Sequence, residues 1–214
     1  MLRNPNGLSY AVVSLLGLVM AVDVFSVAVT FAERTRFLGP DGGLSDPGSP
    51  GVLGIAMAGL LQTVLLVATG IVFIVWFHRL RKNAEVWASG LQTKSPGWAI
   101  GGWFIPVGNL WIPRGIAADI WRASRPDPFA PDGAGELRPL NAWWGVWVLA
   151  TMVSQVASRI YAGAETRDEI LSGFSWLIAS DLLDIAAAVL AILFVRRLTS
   201  MQHAKATGMI SASQ

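Results

Sequence analysis

Six polar or ionisable residues interrupt long apolar stretches of this 214-residue sequence, and side chains of this kind could hold a proton or an ion. They are Asp23, Gln62, Gln155, Arg159, Asp181 and Asp184. On a helix, Asp181 and Asp184 share one face, and so do Gln155 and Arg159, because residues three or four apart are neighbours. A bundle that turns these faces inward is expected to gather three carboxylates, two amides and one guanidinium.

Two roles are open for this intramembrane polar cluster. One is structural: Arg159 pairs with a carboxylate, the amides bridge helices, and the network stabilises one packing of the bundle. The other is an outward-open acidic cavity that binds a cation or a proton, since three carboxylates outnumber one guanidinium.

The composition indicates a membrane protein. Of the residues, 53% are hydrophobic and 14% are charged, against about 25% charged in a soluble domain. This excludes a disordered acidic or basic chain, and a net charge of +2 gives no reason to expect a nucleic-acid partner. The absence of cysteine excludes disulfides, thiolate metal sites and cysteine nucleophiles.

Four apolar stretches are long enough to cross a hydrocarbon core of about 30 Å, which takes about 20 helical residues. They cover residues 8–31, 53–77, 142–162 and 174–195. The first is longer than the apolar core of a signal peptide. The sequence therefore predicts an all-α membrane protein, a four-span helical bundle that forms a single integral membrane domain over residues 1–214.

The positions of the cations predict the orientation of the chain. With the N-terminus in the cytoplasm, twelve of the sixteen lysines and arginines lie on the inner side. This is the asymmetry expected of cytoplasmic segments. We therefore expect a multi-pass membrane protein with both termini in the cytoplasm.

Residues 98–112 are again apolar, but glycines and Pro106 interrupt them, and Pro113 follows directly. Fifteen helical residues would reach only about 22 Å, and proline breaks a helix interior. A fifth span here would also place four arginines outside. We expect a broken element between spans two and three that lies in the cytoplasmic interface or re-enters the bilayer from it.

One or two amphipathic interfacial helices are expected beside this element, over residues 80–91 and 113–124. In the second, Ile116, Ile120 and Trp121 would face lipid or protein, while Asp119 would face water. In the first, Arg81 belongs to the face predicted to be wet. Nine of the ten tryptophans lie between residues 76 and 147, which predicts a tryptophan-rich collar at the cytoplasmic interface.

Several runs in this region resemble the domain-of-unknown-function 4328 family. They are KNAE at 82–85, SPGWA at 95–99, WFIPVGNLWIP at 103–113, DIWRAS at 119–124 and the Trp143–Trp144 pair. The resemblance covers about residues 60–200, and its interfacial motif comprises Trp98, Trp103, Phe104, Pro106, Asn109, Trp111, Pro113 and Trp121. The sequence departs from similar members at Arg114–Gly115, where an aromatic residue often follows the proline.

The resemblance implies a multi-spanning bacterial membrane protein, mainly of actinobacteria, and supplies no catalytic residues. The sequence itself contains no His-Glu-x-x-His run, nucleophile elbow or phosphate-binding loop. No enzyme, metal site or cofactor is therefore predicted. Residues 39–51 and 125–139 are expected to be mobile connections, and the tail after Met201 is expected to be disordered.

The leading expectation is a non-enzymatic membrane interaction or accessory protein that acts through its cytoplasmic collar. The lipid bilayer is the expected partner, with anionic headgroups, another membrane protein or a second copy of the chain as further partners. The alternative is a small cation- or proton-coupled transporter or channel that uses the acidic cluster. A membrane-bound enzyme is a third class, since intramembrane carboxylates are capable of acid–base chemistry.

Overall fold

The computed structural model describes residues 2–39, 46 and 48–212, so most of the predicted loop at 39–51 lies outside the described residues. Within the described part, the regular secondary structure is helical. Short 3-10 turns occur at Ser89–Leu91 and Gly108–Leu110. The α-helices are α1 (Asn6–Leu38), α2 (Pro50–Ala88), α3 (Trp98–Gly101), α4 (Ile112–Ala123), α5 (Arg138–Ala162) and α6 (Arg167–Ala212).

Three helical segments of the described chain are long and apolar enough to cross a membrane: Asn6–Leu38, Pro50–Leu91 and Arg167–Gly208. They contain the apolar stretches predicted at 8–31, 53–77 and 174–195, but each continues into polar sequence. The stretch predicted at 142–162 forms α5. The sequence of α5 is less apolar, and α5 is not among the helices that are apolar enough to cross a membrane by this criterion.

The start of α6 is set by a reciprocal cap. The backbone N–H of Thr166 donates to Glu169 Oε2 (2.9 Å), and the backbone N–H of Glu169 donates to Thr166 Oγ1 (3.3 Å). This Thr-x-x-Glu arrangement satisfies backbone donors that a helix start leaves free. The four residues 163–166 therefore make a tight connection between α5 and α6.

The expectation of a disordered tail after Met201 was wrong, because α6 continues to Ala212. Two tail residues make contacts that stabilise this extension. Lys205 Nζ donates to the carbonyl oxygens of Ala123 (2.9 Å) and Arg125 (2.6 Å), which the end of α4 leaves unpaired. The other, Gln202, is 1% exposed and joins a buried hydrogen-bond network.

The chain divides into two compact units. One, here called the aromatic unit, comprises Met1–Ser14, Thr69–Trp144 and Leu190–Gln214. Its core contains Trp76, Phe77, Trp143 and Phe194, all buried. The other, here called the acidic unit, comprises Leu15–Ala68 and Gly145–Val189, and contains the buried Asp23 and Asp181.

Candidate functional site

Three of the predicted intramembrane polar residues meet in the acidic unit. Gln62 on α2 donates both hydrogens of its Nε2 group, one to Asp23 Oδ1 on α1 and one to Asp181 Oδ1 on α6, at 2.9 Å each. Asp23 is 1% exposed and Asp181 is 6% exposed. One amide therefore links two buried carboxylates and, through them, three helices.

This cluster, the Gln62 bridge (Asp23, Gln62 and Asp181), is incompletely satisfied by protein groups. The second carboxylate oxygen of Asp23 and that of Asp181 are buried and have no hydrogen-bond partner among the described residues. Ser26, one turn from Asp23 and not anticipated from the sequence, is also buried and lies near the Asp181 carboxylate. Asp184 is half-buried and within electrostatic range of both bridged carboxylates.

The structure does not bring Gln155 and Arg159 to the Gln62 bridge. Both side chains are exposed on α5, and neither is among the groups that act on Asp23, Asp181 or Asp184. The expectation that the guanidinium of Arg159 pairs with one of these carboxylates was therefore wrong. The spacing correctly places Gln155 and Arg159 on one helix face, but that face points away from the carboxylates.

The Gln62 bridge does not have the character of a metal centre. Among the described residues, no group of three or more His, Cys, Asp or Glu side chains is placed to hold a metal ion. Divalent cations such as Ca²⁺ take six to eight oxygen ligands. An unpaired carboxylate oxygen in an apolar bundle is better suited to one proton, because a proton removes the cost of burying the charge.

The predicted tryptophan collar is divided between a packed core and an exposed surface. Trp143 stacks on Phe194 with ring centroids 4.7 Å apart, and it contacts Phe73 (5.5 Å) and Trp144 (5.6 Å). Trp76, Trp121 and Pro113 are also buried. The core of the aromatic unit is therefore a cluster of mutually packed rings, and one residue of the motif, Trp121, stacks on Phe194 within it.

Six of the eight motif residues lie on a largely exposed segment, residues 98–111, here called the apolar loop. As predicted, this segment is broken: α3 has only four residues, and turns follow it. Phe104 is 72% exposed and Trp111 is 59% exposed. The other exposed large apolar residues of the loop are Trp98, Ile100, Ile105, Val107 and Leu110, while Asn109 is half-buried and Pro106 is exposed.

The apolar loop is attached to the aromatic core along its inner side. Trp103 contacts Phe73, Phe77 and Trp144 with ring centroids 5.6–5.9 Å apart. The indole N–H of Trp144 donates to the carbonyl oxygen of Leu110 (2.9 Å). The loop therefore presents one apolar side to the core and a second apolar side outward.

The backbone of the apolar loop is strained at its exposed turn. Val107 has φ of +63°, a left-handed conformation that a β-branched residue rarely adopts. Backbone hydrogen bonds from Gly108 to Pro106 (2.7 Å) and from Leu110 to Val107 (3.0 Å) hold the turn. Strain of this kind costs about 1–3 kcal/mol and persists only where surrounding contacts require it.

The two segments expected as short interfacial helices are integrated into the aromatic unit. Residues 80–88 continue α2, and α4 buries Ile116, Ile120 and Trp121 against protein. Two charged residues expected to face water are buried instead. Arg81 donates to the carbonyl oxygen of Lys94 (2.5 Å), and Asp119 accepts from the backbone N–H (3.1 Å) and hydroxyl (2.6 Å) of Thr93. These hydrogen bonds explain why Arg81 and Asp119 are buried although both were expected to face water.

Residues 125–137 are not the loose connection that their composition suggests. Arg125 donates to Asp132 Oδ1 (2.5 Å) and Glu136 Oε1 (2.5 Å), and Arg122 donates to Asp132 Oδ2 (2.8 Å). Hydrogen bonds from Arg122 and Arg125 hold the pKa of the Asp132 carboxyl well below its usual range. The indole N–H of Trp121 also donates to Glu136 (3.1 Å), so this segment is attached to α4.

Comparison with known proteins identifies a family. A family model described as Domain of unknown function (DUF4328) matches residues 53–200. No curated protein and no solved structure matches the chain. The matched range includes Gln62, Asp181 and the whole apolar loop, and it excludes Asp23.

Proposed function

The chain belongs to the DUF4328 family of domains of unknown function, and from its geometry we propose that it is a non-enzymatic membrane protein that contacts lipid through its apolar loop. The observation that carries the proposal is the row of seven exposed large apolar side chains on a segment already packed against an aromatic core. An exposed apolar patch of this kind marks an interaction surface. Lipid is the partner that an apolar surface beside membrane-crossing helices meets first.

In this proposal α5 also crosses the membrane, which makes four spans. Its 25 residues extend about 37 Å, enough for the hydrocarbon core. The short connection at 163–166 turns the chain back into α6, and Tyr161 packs on Phe174 with ring centroids 5.8 Å apart. Since α6 is apolar enough to cross, a helix that runs antiparallel beside it crosses as well.

The apolar loop would lie at the cytoplasmic surface of the bacterial plasma membrane. Lysines and arginines concentrate in the segments on that side of a four-span chain, which is the asymmetry that sets membrane orientation. Lys94 Nζ lies 5.6 Å from the ring centre of Trp98, so one cation accompanies the loop itself. A loop of aromatic and aliphatic side chains flanked by cations fits the boundary between headgroups and acyl chains.

The lipid contact is tested by measuring the depth of one position in the bilayer. The chain contains no cysteine, so a single Phe104→Cys variant takes a spin label without further changes. In reconstituted vesicles, we expect the label to lie about 5–10 Å inside the phosphate plane, the depth typical of interfacial apolar segments. Relative accessibility to oxygen and to a water-soluble nickel complex gives that depth.

Ala134→Cys is the matched control, because Ala134 is exposed in the same unit but outside the apolar loop. Its label is expected in water. If the labels at positions 104 and 134 showed the same high accessibility to the nickel complex, the apolar loop would not contact lipid.

A second candidate function is supported by the Gln62 bridge: a proton path through the acidic unit. The supporting observation is the pair of buried carboxylate oxygens, one on Asp23 and one on Asp181, that have no hydrogen-bond partner within the described part of the chain. Ionisable groups within membrane helices commonly mark proton relays. In this role the two carboxylates share and pass a proton while Gln62 holds them in position.

This candidate predicts proton flux that depends on the bridged carboxylates. In vesicles with an imposed pH gradient, Asp23→Asn and Asp181→Asn are each expected to reduce flux to the level of protein-free vesicles, because an amide does not exchange a proton. Asp168→Asn, at an exposed aspartate on the same unit, is expected to retain the flux of the unsubstituted chain. Equal flux in all four proteins would refute the proton path.

A further inference from the structure

The aromatic unit contains an open cavity of about 470 Å³ lined by Leu2, Arg3, Lys82, Glu85 and Val86. The three α2 residues are spaced i, i+3 and i+4, so they form one face of the helix. Leu2 and Arg3, which precede α1, form the opposite wall. The volume is within the range of small-molecule sites.

A buried network holds Arg3 at this position. The side-chain amide of Asn83 accepts from the backbone N–H of Arg3 (2.8 Å) and donates to its carbonyl oxygen (2.8 Å). Asn83 also donates to Gln202 (3.0 Å), which in turn donates to Ser124 (3.2 Å). Both amide residues are almost fully buried. The segment before α1 is therefore fixed through its backbone, and the Arg3 side chain takes no part in that network.

The charges of the cavity favour an anion. Arg3 and Lys82 contribute two cations, and the carboxylate of Glu85 lies 3.6 Å from the buried guanidinium of Arg81. Because Arg81 already offsets Glu85, the two lining cations are not neutralised within the cavity. Arginine and lysine side chains are the usual partners of a phosphate group.

We infer that this cavity binds the headgroup of an anionic phospholipid. Leu2 and the exposed Val86 give it an apolar wall beside the cations, which suits the glycerol and first acyl carbons that follow a lipid phosphate. The cavity lies on the polar extension of α2, a helix apolar enough to cross a membrane. Basic pockets at this position relative to the bilayer bind phospholipid headgroups. The inference rests on the proposed membrane placement.

Native mass spectrometry of the full chain in detergent tests the inference, with phosphatidylglycerol and phosphatidylcholine added in equal amounts. The unsubstituted chain is expected to retain phosphatidylglycerol preferentially. Arg3→Gln and Lys82→Gln are each expected to weaken that retention about fivefold, and the double variant about thirtyfold, as for cations that act near a membrane surface. Glu85→Gln is expected to strengthen it, because a negative charge leaves the cavity wall.

Arg197→Gln is the matched control, since Arg197 is an exposed cation of the same unit. A change below twofold in this variant supports a defined site, whereas a loss equal to that of Arg3→Gln would show diffuse attraction and overturn the inference. Displacement of phosphatidylglycerol by 10 mM inorganic phosphate (about a thousandfold excess) would identify a soluble phosphate as the ligand and also overturn it. The depth of the spin label at position 104 does not depend on the cavity residues. The two experiments therefore distinguish failure of the headgroup-binding inference from failure of the proposed lipid contact of the apolar loop.

Discussion

Replacement of Trp143 by alanine is expected to lower the free energy of unfolding by about 3–5 kcal/mol, the usual cost of removing a large aromatic side chain from a core. The ring of Trp143 stacks on Phe194 and also contacts Phe73 and Trp144. Aromatic pairs contribute about 0.5–1.5 kcal/mol each beyond the area they bury. Denaturant unfolding in detergent, followed by tryptophan fluorescence, measures the change.

Trp111→Ala is the control for this prediction, because Trp111 belongs to the same unit but is 59% exposed. In detergent its replacement is expected to change the free energy of unfolding by less than about 1 kcal/mol. Similar losses in the two variants would mean that the buried and exposed tryptophans do not differ in role, contrary to the division of the collar described above.

Replacement of Gln62 by leucine is expected to lower the free energy of unfolding by about 1–3 kcal/mol. Each interhelical hydrogen bond in a membrane protein contributes about 0.6–1.7 kcal/mol, and Gln62 makes two of them. The substitution also leaves both Asp23 and Asp181 buried without their shared donor. Thermal unfolding in the same detergent gives the comparison with the unsubstituted chain.

Gln155→Leu is the matched control, since Gln155 is an exposed glutamine of the acidic unit. It is expected to leave stability unchanged or slightly raised. Substituting Asp23 and Asp181 by leucine together with Gln62→Leu is expected to recover most of the loss, because replacing both partners of a hydrogen bond is far less costly than orphaning one. A stable Gln62→Leu variant would show that the bridge does not stabilise the helices it joins.

The sequence shows which polar residues are candidates for the cluster, but it does not show which of them come together in the fold. Apolar runs identify the helices that carry Asp23, Gln62 and Asp181, and spacing identifies which residues share a face. Residue spacing does not determine which face of α5 turns inward, because that depends on the neighbours against which α5 packs. Arg159 was therefore assigned to a network from which it is absent.

The sequence also does not determine which tryptophans of the aromatic unit are buried in the core and which are exposed. A ring that favours the membrane interface also favours a protein core, since both settings are apolar with a polar group near the edge. Trp143 and Trp111 are indistinguishable by residue type, and only the positions of Phe73 and Phe194, distant in sequence, determine which of them is buried.

The network around Asn83 and Gln202 was not predicted at all. Gln202 lies in a polar stretch that resembles a disordered tail, and its partners Asn83 and Ser124 are 119 and 78 residues away in sequence. Arg81 and Asp119 were expected to face water for a related reason: a charged side chain is assigned to solvent unless its buried partner is known. Such pairings are properties of the fold and leave no local pattern.

The membrane topology of the chain is the premise shared by the proposed lipid contact of the apolar loop and the proposed headgroup cavity. Cysteine accessibility tests this topology most directly. Single variants Ala134→Cys, Glu165→Cys and His203→Cys, each at an exposed residue, are treated with a membrane-impermeant maleimide in intact cells and after permeabilisation. Four crossings predict that Glu165→Cys reacts in intact cells, while Ala134→Cys and His203→Cys react only after permeabilisation. Labelling of His203→Cys in intact cells, with Glu165→Cys and Ala134→Cys protected, would show that α5 does not cross and would contradict the account.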